Sequence, residues 1–135
     1  MSDLAKSLIK KHEGLRLKPY RCTAGKLTIG YGRNLDDRGI SLAEAEHLFE
    51  NDIREATEQA KTLVSNFTQL SENRQAVLID MVFNMGIEGM RKWKNTLAAI
   101  ERGDFKIVAY NMRQSLWYRQ VPRRAEELIK MMEDG

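Results

Sequence analysis

The spacing of apolar residues changes period along the chain. Over residues 3–13, Leu4, Leu8 and Ile9 fall on one helical stripe among lysines, which predicts a helix there. Ser2 or Asp3 is placed to cap it and Gly14 to stop it. From 15 to 34 the period drops to two. Leu15 and Leu17 alternate with charged residues, Thr23-Ala24-Gly25-Lys26 reads as a turn, and Leu27, Ile29 and Tyr31 alternate with Thr28 and Gly30. The pattern predicts a small antiparallel sheet. With Leu27 and Ile29 turned inward, Thr28 is expected on the opposite face, looking into a groove. Asn34 to Gly39 is polar and turn-like.

The helical period then returns. Ser41 and Glu44 form a capping box at the head of a long helix reaching about Leu63. Ser71 caps a helix through AVLIDMVFNMG, whose apolar residues cover nearly the whole circumference, as in a buried central helix. Asn95 and Asp104 are placed to cap two shorter helices divided by Arg102-Gly103, and Pro122 opens a last one. The fold class is therefore α+β and mainly helical. One domain over 1–135 is expected: a small antiparallel sheet lobe (about 14–40), a linking helix (about 41–63), and a helical lobe (about 64–135) that takes in the N-terminal helix. A cleft is expected between the lobes.

A chain of 135 residues buries roughly two-thirds of its unfolded surface and needs neither disulfide nor metal to fold. The single Cys22 excludes an internal disulfide and suits synthesis in a reducing compartment. The net charge of +3 is mild and interspersed, and favours a polyanionic partner such as a cell wall or nucleic acid. No recognition-helix cluster or RNA-binding aromatic signature accompanies it, so a nucleic-acid-binding role is not expected. No apolar run has the length of a signal peptide or of a membrane span. The chain is expected in the cytoplasm, without stable membrane association. His12 and His47 are too few and too separated for a zinc site, and no phosphate loop appears, so no cofactor is implied.

Three residues stand out for chemistry. Glu13 ends the first helix, where the helix dipole disfavours an anion and suits a general acid; an exposed glutamate in a lysine-rich helix is the plainer reading. Cys22 reads as a buried small hydrophobe, as a protease-like nucleophile with His12 as base, or as a water-positioning group opposite Glu13. His12 directly precedes Glu13, so the two side chains diverge around the helix, and no third orienting group completes a protease site. Thr28 alone says little, since threonine is common in strands. Gly30 and Gly32 mark a bulge or a close approach of backbone to a ligand. Taken alone, these residues support a cleft and no particular reaction.

Glu13, eight residues, Cys22, five residues and Thr28, within KKHEGLRLKPYRCTAGKLTIGYGRN, resembles the catalytic motif of T4-type bacteriophage lysozymes, glycoside hydrolase family 24. LIDMVFNMG and NMRQSLWYRQVPRRAEELI resemble the helical-lobe signatures of the same family. Residues 35–73 match it only in helix character. The resemblance implies an endolysin that hydrolyses the β-1,4 bond between N-acetylmuramic acid and N-acetylglucosamine in peptidoglycan and lyses the host cell. It implies Glu13 as the acid, and Thr28 as a group that holds the water. At position 22 the family usually has Asp; Cys lacks the charge and the acceptor strength of a carboxylate, while thiolate is a strong nucleophile. Cys22 is expected to serve all the same, with Asp36 and Asp37 as lesser stand-ins for the carboxylate. Asn34, Phe83, Thr96 and Asn111 are implied as glycan contacts, and Arg124 as the partner of Glu13. Trp117 and Tyr118 are expected to pack the helical core. The alternative is a catalytically silent wall-binding module. The resemblance further implies a monomer released to the wall by a separate holin.

Overall fold

In the computed structural model, which describes residues 2–135, the first element is α1 (Asp3–Glu13). Ser2 caps it by accepting from the Ala5 N–H, and Gly14 ends it at φ 72°, its N–H returning to the Lys10 carbonyl. Strands β1 (Arg16–Arg21), β2 (Leu27–Gly30) and β3 (Arg33–Asn34) follow and make an antiparallel sheet in the order β1-β2-β3. The β1–β2 ladder slips between Arg16 and Tyr20. Pro19 lies in that interval and has no N–H to donate, a gap tolerated on an edge strand. Arg16 stacks its guanidinium over the Tyr20 ring at 4.5 Å.

The polar stretch after β3 is not a plain turn. Asn34 caps a short helix, α2 (Leu35–Arg38), by accepting from the Asp37 N–H at 3.0 Å. The capping box at Ser41 forms as the sequence predicts, with Ser41 N–H donating to Glu44 at 2.8 Å and Glu44 N–H to the Ser41 hydroxyl at 3.1 Å. It opens α3 (Leu42–Lys61), two residues shorter than expected. The chain divides into two compact units, one ending at His47 and the other Leu48–Gly135, with the division inside α3. The first unit carries α1, the sheet, α2 and the head of α3.

The second unit holds the core. After a 3-10 turn at Phe67–Gln69 come α4 (Glu72–Met85), α5 (Ile87–Arg91), α6 (Lys94–Arg102), α7 (Phe105–Arg113), α8 (Leu116–Gln120) and α9 (Pro122–Asp134). Val77, Leu78, Met81 and Val82 of α4 pack with Ile100, Met112, Ile129 and Met132. The α4 helix is less enclosed than its composition suggests, since Phe83 stays 45% exposed. Asp104 caps α7 as expected. Asn95 does not cap α6: the helix starts two residues earlier than that cap implies, Trp93 occupies the cap position, and no side chain covers the first-turn N–H groups. Trp117 is buried and donates its indole N–H to Asn84 at 2.9 Å, meeting Trp93 edge-on at 5.8 Å. Arg74 lies over the Phe105 ring and donates to the Met132 carbonyl at 2.7 Å, covering the end of α9. Among the described residues no helix is long and apolar enough to cross a membrane.

Candidate active site

Glu13 owes its position to the stop of α1 and to a missing side chain. A Cβ built on Gly32 would lie 2.7 Å from Glu13 Oε2 and 2.9 Å from its carboxyl carbon. Only glycine lets the carboxyl group settle against this loop, and the loop's φ of +77° favours glycine again. Lys10, one turn back on α1, places its ammonium 5.2 Å from the Tyr31 ring and fixes the helix to the same loop.

Cys22 sits at the turn that joins β1 to β2. Its N–H donates to the Lys26 carbonyl and its own carbonyl accepts from Gly25. The backbone N–H groups of Lys26 and then Ala24 favour the thiolate, as does the Thr28 hydroxyl, and together they hold the thiol below its ordinary pKa against the opposing effect of desolvation. The side chain is half-buried and free of any disulfide.

Thr28 corrects the expectation drawn from period-two alternation. It is the buried residue of β2, 3% exposed, while Leu27 and Ile29 are only half-buried. β2 is the central strand, and Tyr20 and Asn34 flank Thr28 on either side. Its hydroxyl donates to the Lys26 carbonyl at 2.8 Å, which satisfies the polar atom that burial would otherwise strand. The face chosen for burial follows from the hydroxyl's local partner, which alternation does not reveal. Thr28 therefore meets the Cys22 turn and does not look into an open groove.

Asp36 and Asp37 are committed elsewhere. Asp36 accepts from the Leu27 N–H at 2.7 Å, and Asp37 pairs with Lys26 Nζ at 3.2 Å and accepts from Asn34 Nδ2 at 2.9 Å. These contacts tie α2 to the sheet. Asn34 likewise caps α2. Arg33 had drawn no notice in the sequence. It donates to the Gly39 carbonyl at 3.1 Å and grips Glu44 through two nitrogens, which lowers the Glu44 pKa to about 2, the Ser41 N–H and hydroxyl adding to the effect.

The second unit gathers the other candidates in two grooves. Thr96 and Asn111 line one of about 460 Å³ where the start of α6 faces the end of α7, together with Trp93, Lys94 and Gln114. Phe83 lines a more apolar groove of about 430 Å³ with Phe49, Ile53, Ile79 and Arg124. Phe49 and Phe83 meet edge-on at 5.9 Å. Within this unit the partner of Arg124 is Asp80: its Nε donates to Asp80 Oδ1 at 2.9 Å and a terminal nitrogen to the Asp80 carbonyl at 3.5 Å. The sequence pattern had marked Asp80 only as part of an apolar helix.

Comparison with known proteins places the chain in a family. The family model described as phage lysozyme matches residues 10–130. The chain is 31% identical to a probable T4-type lysozyme of Dictyostelium discoideum, over 100% of this chain and 96% of that protein. It is 36% identical to an endolysin of Acyrthosiphon pisum secondary endosymbiont phage 1 over 64% of this chain and 60% of the relative. It is also 32% identical to the peptidoglycan hydrolase gp36 of Pseudomonas phage phiKMV, over 92% of this chain but 14% of that much longer protein.

Proposed function

The chain belongs to the phage lysozyme family and is a glycosidase acting on peptidoglycan, and from that premise we propose that it hydrolyses the β-1,4 bond between N-acetylmuramic acid and N-acetylglucosamine. Glu13 protonates the leaving glycosidic oxygen. Cys22 acts as thiolate and supplies the negative charge that the sugar's developing oxocarbenium ion requires. Thr28 positions the Cys22 turn and, through its hydroxyl, the thiolate. The observation that carries this reading is the seating of the two groups in one small unit, Glu13 against Gly32 and Cys22 against the N–H groups of its own turn. A neutral thiol would serve poorly in place of a carboxylate; a lowered thiol pKa enlarges the thiolate share, the form that carries the charge.

Asn34, Phe83, Thr96 and Asn111 are proposed glycan contacts, and Arg124 is the proposed partner of Glu13. The protein works as a monomer and without a cofactor, and lyses the host from the cytoplasmic side once a holin-type partner opens the route to the wall.

Release of muropeptides from purified sacculi by the wild type, Glu13→Gln and Cys22→Ser tests the assignment. Product from the wild type alone is expected, with each variant reduced at least about hundredfold. Full activity of Cys22→Ser would remove the thiolate from the mechanism. Wild-type protein that sediments with sacculi but releases nothing would identify a silent wall-binding module.

A further inference from the structure

Thr28 is the one buried residue among residues 2–47, in a unit with no apolar core to bury it. Its own face of the sheet must therefore exclude water from it. Residues paired across an antiparallel ladder point to the same face, with Cβ atoms about 5 Å apart. Thr28 stands opposite Tyr20 on β1 and opposite Asn34 on β3. The Asn34 side chain is turned to α2, where it accepts from the Asp37 N–H and donates to the Asp37 carboxylate. Gly30, the next residue of β2 on that face, has no side chain to offer. The remaining cover is the Tyr20 ring, and Tyr20 is the one residue of β1 that is not exposed.

The ring is itself held. Arg16 lays its guanidinium over it at 4.5 Å, and among the described residues Arg16 makes no ion pair. Four residues of regular strand span about 13 Å. The slip in the β1–β2 ladder shortens that span: Arg16 pairs with Gly30 and Tyr20 with Thr28, so β1 spends four residues where β2 spends two, about 7 Å. The irregularity around Pro19 thus brings the guanidinium onto the ring, where the cation and the aromatic face attract each other.

The covered hydroxyl matters for Cys22. Thr28 Oγ1 donates to the Lys26 carbonyl at 2.8 Å, the same carbonyl that accepts from the Cys22 N–H at 3.0 Å. After the backbone N–H groups of Lys26 and Ala24, the Thr28 hydroxyl is the side-chain group that favours the thiolate. Water admitted to Thr28 would compete for the same partners. Resting on the proposed function, we infer that Tyr20 is a positioning residue for the reaction: its ring, clamped by Arg16, seals Thr28 against water and holds the threonine hydroxyl on the turn that carries Cys22. Tyr20 touches no reacting atom in this role, and the flat ring, not the phenol hydroxyl, performs it.

The test follows the pH midpoint of Cys22 alkylation by iodoacetamide, with kcat and KM on soluble peptidoglycan strands, in the wild type, Tyr20→Leu, Tyr20→Phe and Arg16→Gln. In Tyr20→Leu the midpoint is expected to move upward, toward that of Thr28→Val, and kcat to fall about tenfold with KM little changed. Tyr20→Phe is expected to keep the wild-type values, and Arg16→Gln to show a smaller upward move. An unmoved midpoint in Tyr20→Leu, or a Tyr20→Phe variant as impaired as Tyr20→Leu, would overturn the inference. Should Tyr20→Leu not fold, Arg16→Gln, changed at an exposed position, decides in its place: an unmoved midpoint there would overturn the inference too. Glu44→Gln loosens the joint at the other end of the sheet and is expected to leave the midpoint in place. An equal upward move in that variant would show the thiol answering to sheet stability in general, and would also overturn the inference. Wild-type protein inert on the strands would overturn the proposed hydrolysis instead, and the alkylation midpoints would still decide the role of Tyr20.

Discussion

Gly30 and Gly32 hold almost the same backbone angle, φ +70° and +77°, yet only at Gly32 does an added Cβ meet anything. The pair separates strain from seating. Alanine at either position costs about 1 kcal/mol or more through the left-handed backbone. Gly32→Ala must in addition push the Glu13 carboxyl aside, and a displacement near 1 Å at a reacting group costs on the order of hundredfold in rate. Gly30→Ala is therefore expected to melt earlier but still hydrolyse sacculi, while Gly32→Ala melts earlier and hydrolyses little. Equal rates in the two variants would show that Glu13 does not depend on this seat. Cys22 allows a companion experiment. Because the Lys26 N–H, the Ala24 N–H and the Thr28 hydroxyl favour thiolate, its alkylation rate should reach half its plateau at a pH below the ordinary value of 9.0. Thr28→Val removes one of those donors and should move that midpoint upward; an unmoved midpoint would detach Thr28 from the thiolate.

At the level of elements, the joint between β3 and α3 depends on Arg33 and Glu44. The Glu44 pKa falls from 4.5 to about 2 in the folded chain, so the unfolded chain binds the proton more readily. The stabilisation is thus fully present above pH 4.5 and is lost as pH falls toward about 2. Unfolding of the sheet, followed through the tyrosine signals of Tyr20 and Tyr31, should become easier across that window in the wild type. Glu44→Gln should flatten the dependence there, and an unchanged slope would assign the acid sensitivity to other carboxylates. This joint also shows what the sequence reveals. The capping box is legible because Ser41 and Glu44 satisfy each other within one turn. The Arg33 grip on the same carboxylate spans eleven positions, and no periodicity announces it. Asn95 misled for a related reason: a good capping residue does not cap when the chain enters the helix two positions earlier, at Trp93. The motif Glu13, Cys22, Thr28 was legible as spacing, but the burial of Thr28 and the seat under Glu13 come from strand order and a missing Cβ.

Across the molecule, burial is unevenly shared. Every buried hydrophobic residue lies between Ala56 and Met132, and among residues 2–47 only Thr28 is buried. The first unit is held instead by caps, turn hydrogen bonds and exposed ion pairs such as Lys26–Asp37, which individually contribute little. Regions with few buried apolar contacts open locally without global unfolding. Native-state hydrogen exchange should therefore find the slowest amides in α4 and α9, exchanging only through global opening. The amides of β1, β2 and β3 should exchange at least about tenfold faster, through smaller openings. Denaturant should accelerate the first class steeply and the second weakly, because the slope follows the surface exposed. Equal rates and equal slopes in both would show one cooperative structure whose stability the buried helical core sets throughout. The expected separation would place the candidate acid and thiolate on the more yielding part of the chain, so that substrate contacts there help to hold them in their working geometry. Under that outcome Gly32 and Thr28 matter less for the stability of the whole than for how often Glu13 and Cys22 are seated when glycan arrives.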